Sequence, residues 1–71
     1  MKIKDLINNH EFVFNCDFRI LEYLPNEEDP DAVIVRYDSR TDPEPIELYD
    51  KWISAINSND GIVEIEYVEL I

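Results

Sequence analysis

The residues of this chain that could do covalent or metal chemistry are spaced in a way that argues against a catalytic site. His10 and Cys16 are the only residues of their types. A nucleophilic thiol must be held as thiolate with a base beside it. Cys16 instead alternates with Phe14 and Phe18 in an apolar run, where a thiol packs as a small hydrophobe. His10, at the expected junction of a helix and a strand, reads as a surface or helix-end residue rather than a ligand. The loop Asn26-Glu27-Glu28-Asp29-Pro30-Asp31 offers hard oxygen ligands. It lacks the acid-and-glycine spacing and the distant glutamate of a calcium loop, and Pro30 interrupts it. Glu64 and Glu66 share a strand face, yet acid–base work also needs a pocket that drives their pKa values apart. There is no glycine-rich phosphate loop. The reading is a binding protein, with no enzyme activity, cofactor or metal expected.

Charge narrows the partner. Seventeen Asp and Glu oppose six Lys and Arg, a formal net charge of −11. DNA, RNA and anionic membranes require a positive surface, so direct contact with them is excluded and a basic protein partner is expected. The candidate partner-binding residues are Asp42, Glu44, Glu47 and Asp50, near the start of an expected helix, with Glu64, Glu66 and Glu69 on the last strand. The chain is still 45% hydrophobic and periodically patterned, unlike a disordered acidic tail. One cysteine allows no internal disulfide, the opening MKIKDLINNH carries no apolar run of signal-peptide length, and no segment approaches a membrane span. A cytoplasmic setting is the expectation.

The elements that must position these acids follow from periodicity. Ile3, Leu6 and Ile7 predict a short amphipathic helix over residues 2–9. Glu11 to Leu24 predicts the central strand, with Phe12, Phe14, Cys16, Phe18 and Ile20 on one face. Pro25 to Asp31 is a loop, and Ala32 to Asp38 a second strand with Val33, Val35 and Tyr37 on one side. Pro45 to about Asn57, with Ile46, Tyr49, Ile53 and Ile56 in one stripe, predicts the main helix, which Asn57 to Gly61 ends. Ile62 to Ile71 is the last strand, with a bulge or fraying expected near Val68. The sum is a single α+β domain over residues 1–71, ordered α-β-β-α-β. Its three-stranded antiparallel sheet has order 2-1-3, or the second strand central as the alternative, and the 45–57 helix covers the face bearing Phe12, Phe14 and Phe18.

The start MKIKDLI, followed by two strands, a proline-headed helix and a glutamate-rich final strand, resembles the small acidic proteins of bacterial phages and conjugative elements. Most of these have no assigned function. Some unrelated acidic proteins of that origin resemble DNA and inhibit host defence nucleases, including restriction and CRISPR enzymes. The resemblance transfers no functional residue. It implies nucleic-acid mimicry directed at a DNA- or RNA-binding protein. The other reading is an accessory interaction module of a mobile element, using an apolar patch or a strand edge. Glu64, Glu66 and Glu69 deter the last strand from pairing with its own copy, so a monomer is expected.

Overall fold

The computed structural model of the protein describes residues 1–9 and 17–69. His10, Phe12, Phe14 and Cys16 lie outside the described residues, as do Leu70 and Ile71. In chain order the elements are helix α1 (Ile3–Ile7), strands β1 (Asp17–Tyr23) and β2 (Val33–Asp38), a 3-10 turn (Ile46–Leu48), and strands β3 (Ile53–Asn59) and β4 (Ile62–Tyr67). The strands form one mixed sheet of order β2-β1-β4-β3. β1 and β4 run parallel, and each outer strand is antiparallel to its neighbour.

Two expectations are corrected here. There is no main helix over 45–57, and the sheet is four-stranded and mixed rather than three-stranded and antiparallel. The cause is the pair Asp60-Gly61, both at positive φ (53° and 81°), which is the backbone of a type I′ hairpin turn. It places Asn59 opposite Ile62 and commits the preceding Ile53–Asn59 to a strand. Serine, asparagine and β-branched isoleucine are weak helix formers, so nothing local opposes that outcome. Upstream, the proline-headed segment makes only i to i−3 bonds, Leu48 N–H to Pro45 O at 2.9 Å and Lys51 N–H to Leu48 O at 3.1 Å. The helical stripe of Ile46, Tyr49, Ile53 and Ile56 is thus divided between a 3-10 turn and a strand.

The core lies on one face of the sheet. Phe18 and Ile20 of β1, Tyr37 of β2 and Ile65 and Tyr67 of β4 pack there with Ile3 and Leu48, and Leu6, Ile7, Ile53 and Val63 rim the cluster. Ile3, Ile20 and Ile65 are wholly buried. A five-residue helix is unstable alone, and α1 is tied down by backbone bonds. Ile3 N–H donates to Lys51 O and Lys4 N–H to Tyr49 O, both at 3.0 Å, while Ile53 N–H donates to Met1 O.

A bulge in β2 corrects the expected faces of that strand. Tyr37 pairs with Ile20 and Val35 with Leu21, leaving Arg36 as the extra residue. Adjacent residues of β1 face opposite ways, so Tyr37 enters the core while Val33 and Val35 lie on the far face. Arg36 thereby reaches Glu22, whose carboxylate accepts from Arg36 Nε at 2.8 Å and from the Tyr67 hydroxyl at 3.4 Å. That pairing explains how Glu22 is buried at 8% exposure. β4 ends at Tyr67, and the other register shift falls in β3, between Ile53 and Ala55, rather than near Val68.

Ile20 sits opposite both Tyr37 and Ile65 in the middle of the sheet. Ile20→Ala is expected to cost about 2–5 kcal/mol, most of the stability of so small a domain. Val33→Ala, at an exposed edge position, should change it by no more than about 0.5 kcal/mol. Urea melts of the two variants check this, and equal midpoints would mean that β1 is not the core strand.

Candidate functional site

The seven acids singled out from the sequence do not form one surface. Ile65 and Tyr67 point to the core, so Glu64 and Glu66 alternate onto the opposite face of β4. Glu44 and Glu47 belong to the segment around the 3-10 turn, whose Leu48 packs in that core, and so lie on the helix-bearing side. Several are already engaged. Glu64 pairs with Arg19 at 3.8 Å, Glu69 with Lys51 at 2.6 Å and Asp50 with Lys4 at 3.6 Å. Asp42 accepts the Asp38 N–H at 2.8 Å. Glu66 lies half-buried on β4 between Leu21 and Ala55, and Glu44 and Glu47 are exposed.

Three other features came out of the fold. The first is the free edge of β2. Leu24 N–H donates to Ala32 O and Ser39 N–H to Phe18 O, so by alternation the backbone groups of Val33 and Val35 point away from β1. Val33, Ile34 and Val35 are 41%, 44% and 55% exposed. The edge is closed at its far end, where the Asp38 N–H is taken by Asp42 and its carbonyl by the Thr41 and Asp42 amides. The β3 edge is better protected, since Met1 and Lys2 pair with the stretch at Trp52–Ile53, a register shift follows, and the strand ends in Asn-Ser-Asn.

The second feature is the acidic loop leading into β2. Asn26 Oδ1 accepts the amides of Glu28 at 3.0 Å and Asp29 at 2.8 Å, and Asp29 Oδ1 accepts the Asp31 amide at 3.1 Å. The Tyr23 hydroxyl donates to the Pro30 carbonyl. These local bonds hold four exposed acids, Glu27, Glu28, Asp29 and Asp31, beside the start of the open edge. Among the described residues no cluster of His, Cys, Asp or Glu has the arrangement of a metal site.

The third is a cleft of about 360 Å³ between the start of β1, the end of β2 and the 3-10 turn, lined by Phe18, Tyr37, Tyr49, Pro45, Asp17 and Glu44 among others. Phe18 and Tyr37 pack with ring centroids 5.6 Å apart and planes tilted by 36°. Burial pushes the Tyr37 phenol above its ordinary range, and nearby Asp42, Tyr49 and Glu44 add to the effect. The fold alone creates this cleft, because Asp17, Tyr37 and Tyr49 are far apart in the chain.

Asp38 is the electrostatic hub beside it. Its carboxylate accepts Arg40 Nη2 at 2.8 Å and Arg19 Nε at 3.3 Å. The Arg40 side-chain hydrogen bond, helped by the Arg40 amide, holds this carboxyl well below the usual carboxylate range. The folded state keeps the group ionised more firmly than the unfolded chain does. Its stabilisation is therefore complete above about pH 3.9, the unfolded value, and drains away as pH falls toward the folded one. Asp38→Asn should lower the melting temperature near neutrality, with the gap to wild type closing in acid. Melting curves across the acid range test it, and a gap that stays constant would show that Asp38 acts through shape rather than charge.

Among the described residues no helix is long and apolar enough to cross a membrane. No family model, no curated protein and no solved structure matches the chain.

Proposed function

We propose that the protein is a small non-enzymatic binding module that takes an extended, basic segment of a partner protein as an added strand along the free edge of β2. The observation that carries this reading is the edge itself, with Val33, Ile34 and Val35 exposed in succession and the outward backbone groups of Val33 and Val35 unpaired among the described residues. Natural sheets guard such edges with lysine, proline or bulges, and the Val33–Val35 stretch ahead of the Arg36 bulge carries none of these. The bulge at Arg36 and the turn at Asp42 limit pairing to the Val33–Val35 stretch, which defines a short docking register.

Charge complementarity sets the partner's chemistry. Glu27, Glu28, Asp29 and Asp31 flank one end of the edge and Asp42 the other. A second copy of this chain brings a charge of −11 of its own and is disfavoured there. Mimicry of a nucleic acid is the competing proposal, supported by the same excess charge. It calls for two acidic rows on one face, whereas Glu64 and Glu66 lie on the opposite side from Glu44 and Glu47. Strand addition needs no such alignment.

A peptide of alternating lysine and valine, titrated into isotope-labelled protein, is expected to shift the amides of Val33 and Val35 and to bind more weakly as salt rises. Val35→Lys, at a position 55% exposed, should leave the fold intact and weaken binding about tenfold or more. The triple variant Glu64→Gln/Glu66→Gln/Glu69→Gln should bind as the parent does. Perturbations centred on β4 and lost in the triple variant would favour mimicry. Light scattering that shows a dimer dissolved by Val35→Lys would replace the basic partner with a second copy.

A further inference from the structure

The aromatic cleft has no part in strand addition, and its chemistry points to a different ligand. We infer that the cleft between β1, β2 and the 3-10 turn is a binding site for an alkylammonium group, held against Tyr37 and Tyr49 and neutralised by Asp17 and Glu44.

Its size comes first. About 360 Å³ lies within the range of small-ligand sites, roughly 300–1,000 Å³, and far exceeds what one ordered water fills. Its walls come second. Phe18, Tyr37 and Tyr49 line it, and an aromatic ring attracts a cation through its quadrupole. Pro45 and Ile7 add apolar wall for a hydrocarbon stem. The sign of the field comes third. Asp17 and Glu44 line the cleft, and Asp42 and Asp38 act on the Tyr37 phenol from close by. The cations in range are Arg40 and Arg19, both paired with Asp38, and Arg40 also feels Asp17. Neither Asp17 nor Glu44 makes an ion pair among the described residues. An anion is repelled here, and a neutral apolar ligand makes no use of the two carboxylates. A primary ammonium on a short alkyl stem satisfies both walls and charge.

That group has two sources, a lysine side chain of a polypeptide or a free amine. The experiment uses butylammonium chloride as the probe, butanol as its neutral counterpart, and Nα-acetyl-lysine N-methylamide as the peptide arm, with the Tyr37 and Tyr49 ring protons as the readout. Butylammonium should produce saturable shifts of both rings, and butanol none. Glu44→Gln and Tyr49→Leu should each weaken the probe about three- to tenfold, while Tyr49→Phe, which keeps the ring, should bind as the parent does. Tighter binding of the lysine derivative assigns the site to a polypeptide, and tighter binding of butylammonium assigns it to a free amine. Equal response to butanol and butylammonium, or indifference to both Glu44→Gln and Tyr49→Leu, would overturn the inference. Val35→Lys leaves this cleft untouched, so a failure of strand addition on β2 and a failure here are read separately.

Discussion

The parallel pairing of β1 with β4 is the contact on which the remaining structure depends. Ile20 faces Ile65 across it, both fully buried, and Phe18, Val63 and Tyr67 extend the same seam. Parallel neighbours cannot be joined by a tight turn, so the chain must travel from one end of the sheet to the other between them. Everything from Leu24 to Gly61 serves as that crossover: β2 on one flank, the 3-10 turn across the core face and β3 on the other flank. The short helix α1 closes the same face and is fastened to the crossover by the carbonyls of Tyr49 and Lys51. A central pairing between residues so distant in sequence is entropically demanding to form. The β3–β4 pairing, by contrast, is local, because the Asp60-Gly61 turn joins the two strands directly.

Electrostatics sets a second constraint on the same framework. Every basic side chain is already committed: Lys4, Arg19, Arg36, Arg40 and Lys51 to carboxylates, and Lys2 over the Trp52 ring at 5.3 Å. The two most sheltered acids, Glu22 and Asp38, receive the arginines. Among the described residues, Glu27, Glu28, Asp29, Asp31, Glu44 and Glu47 are exposed acids that form no ion pair. What the sheet adds is location. Glu27, Glu28, Asp29 and Asp31 precede the β2 edge, and Asp17 and Glu44 line the aromatic cleft.

Some of this was legible in the sequence. The stripe of Ile3, Leu6 and Ile7 marked α1, alternation marked β2 and β4, and the inward set Val63, Ile65 and Tyr67 against the outward Glu64 and Glu66 follows from period two alone. The missed strand β3 also had a signal, Asp60-Gly61 directly ahead of an apolar run, which marks a hairpin more strongly than a helix end. It was masked because Ile46, Tyr49, Ile53 and Ile56 fit a helical repeat, and a strand with an inserted residue breaks the alternation that identifies strands. The bulge at Arg36 hid the true face of Tyr37 in the same way.

By itself the sequence determined the charge, the short helix, the acidic loop and the strands with unbroken alternation, because each of these rests on residues within a few positions of one another. Tertiary structure alone decided which strands became edges, which face each acid occupies, and that Asp17, Phe18, Tyr37, Glu44 and Tyr49 share one cleft. Those outcomes depend on register and crossover direction. Both are set when distant apolar faces bury one another, and no local spacing encodes them.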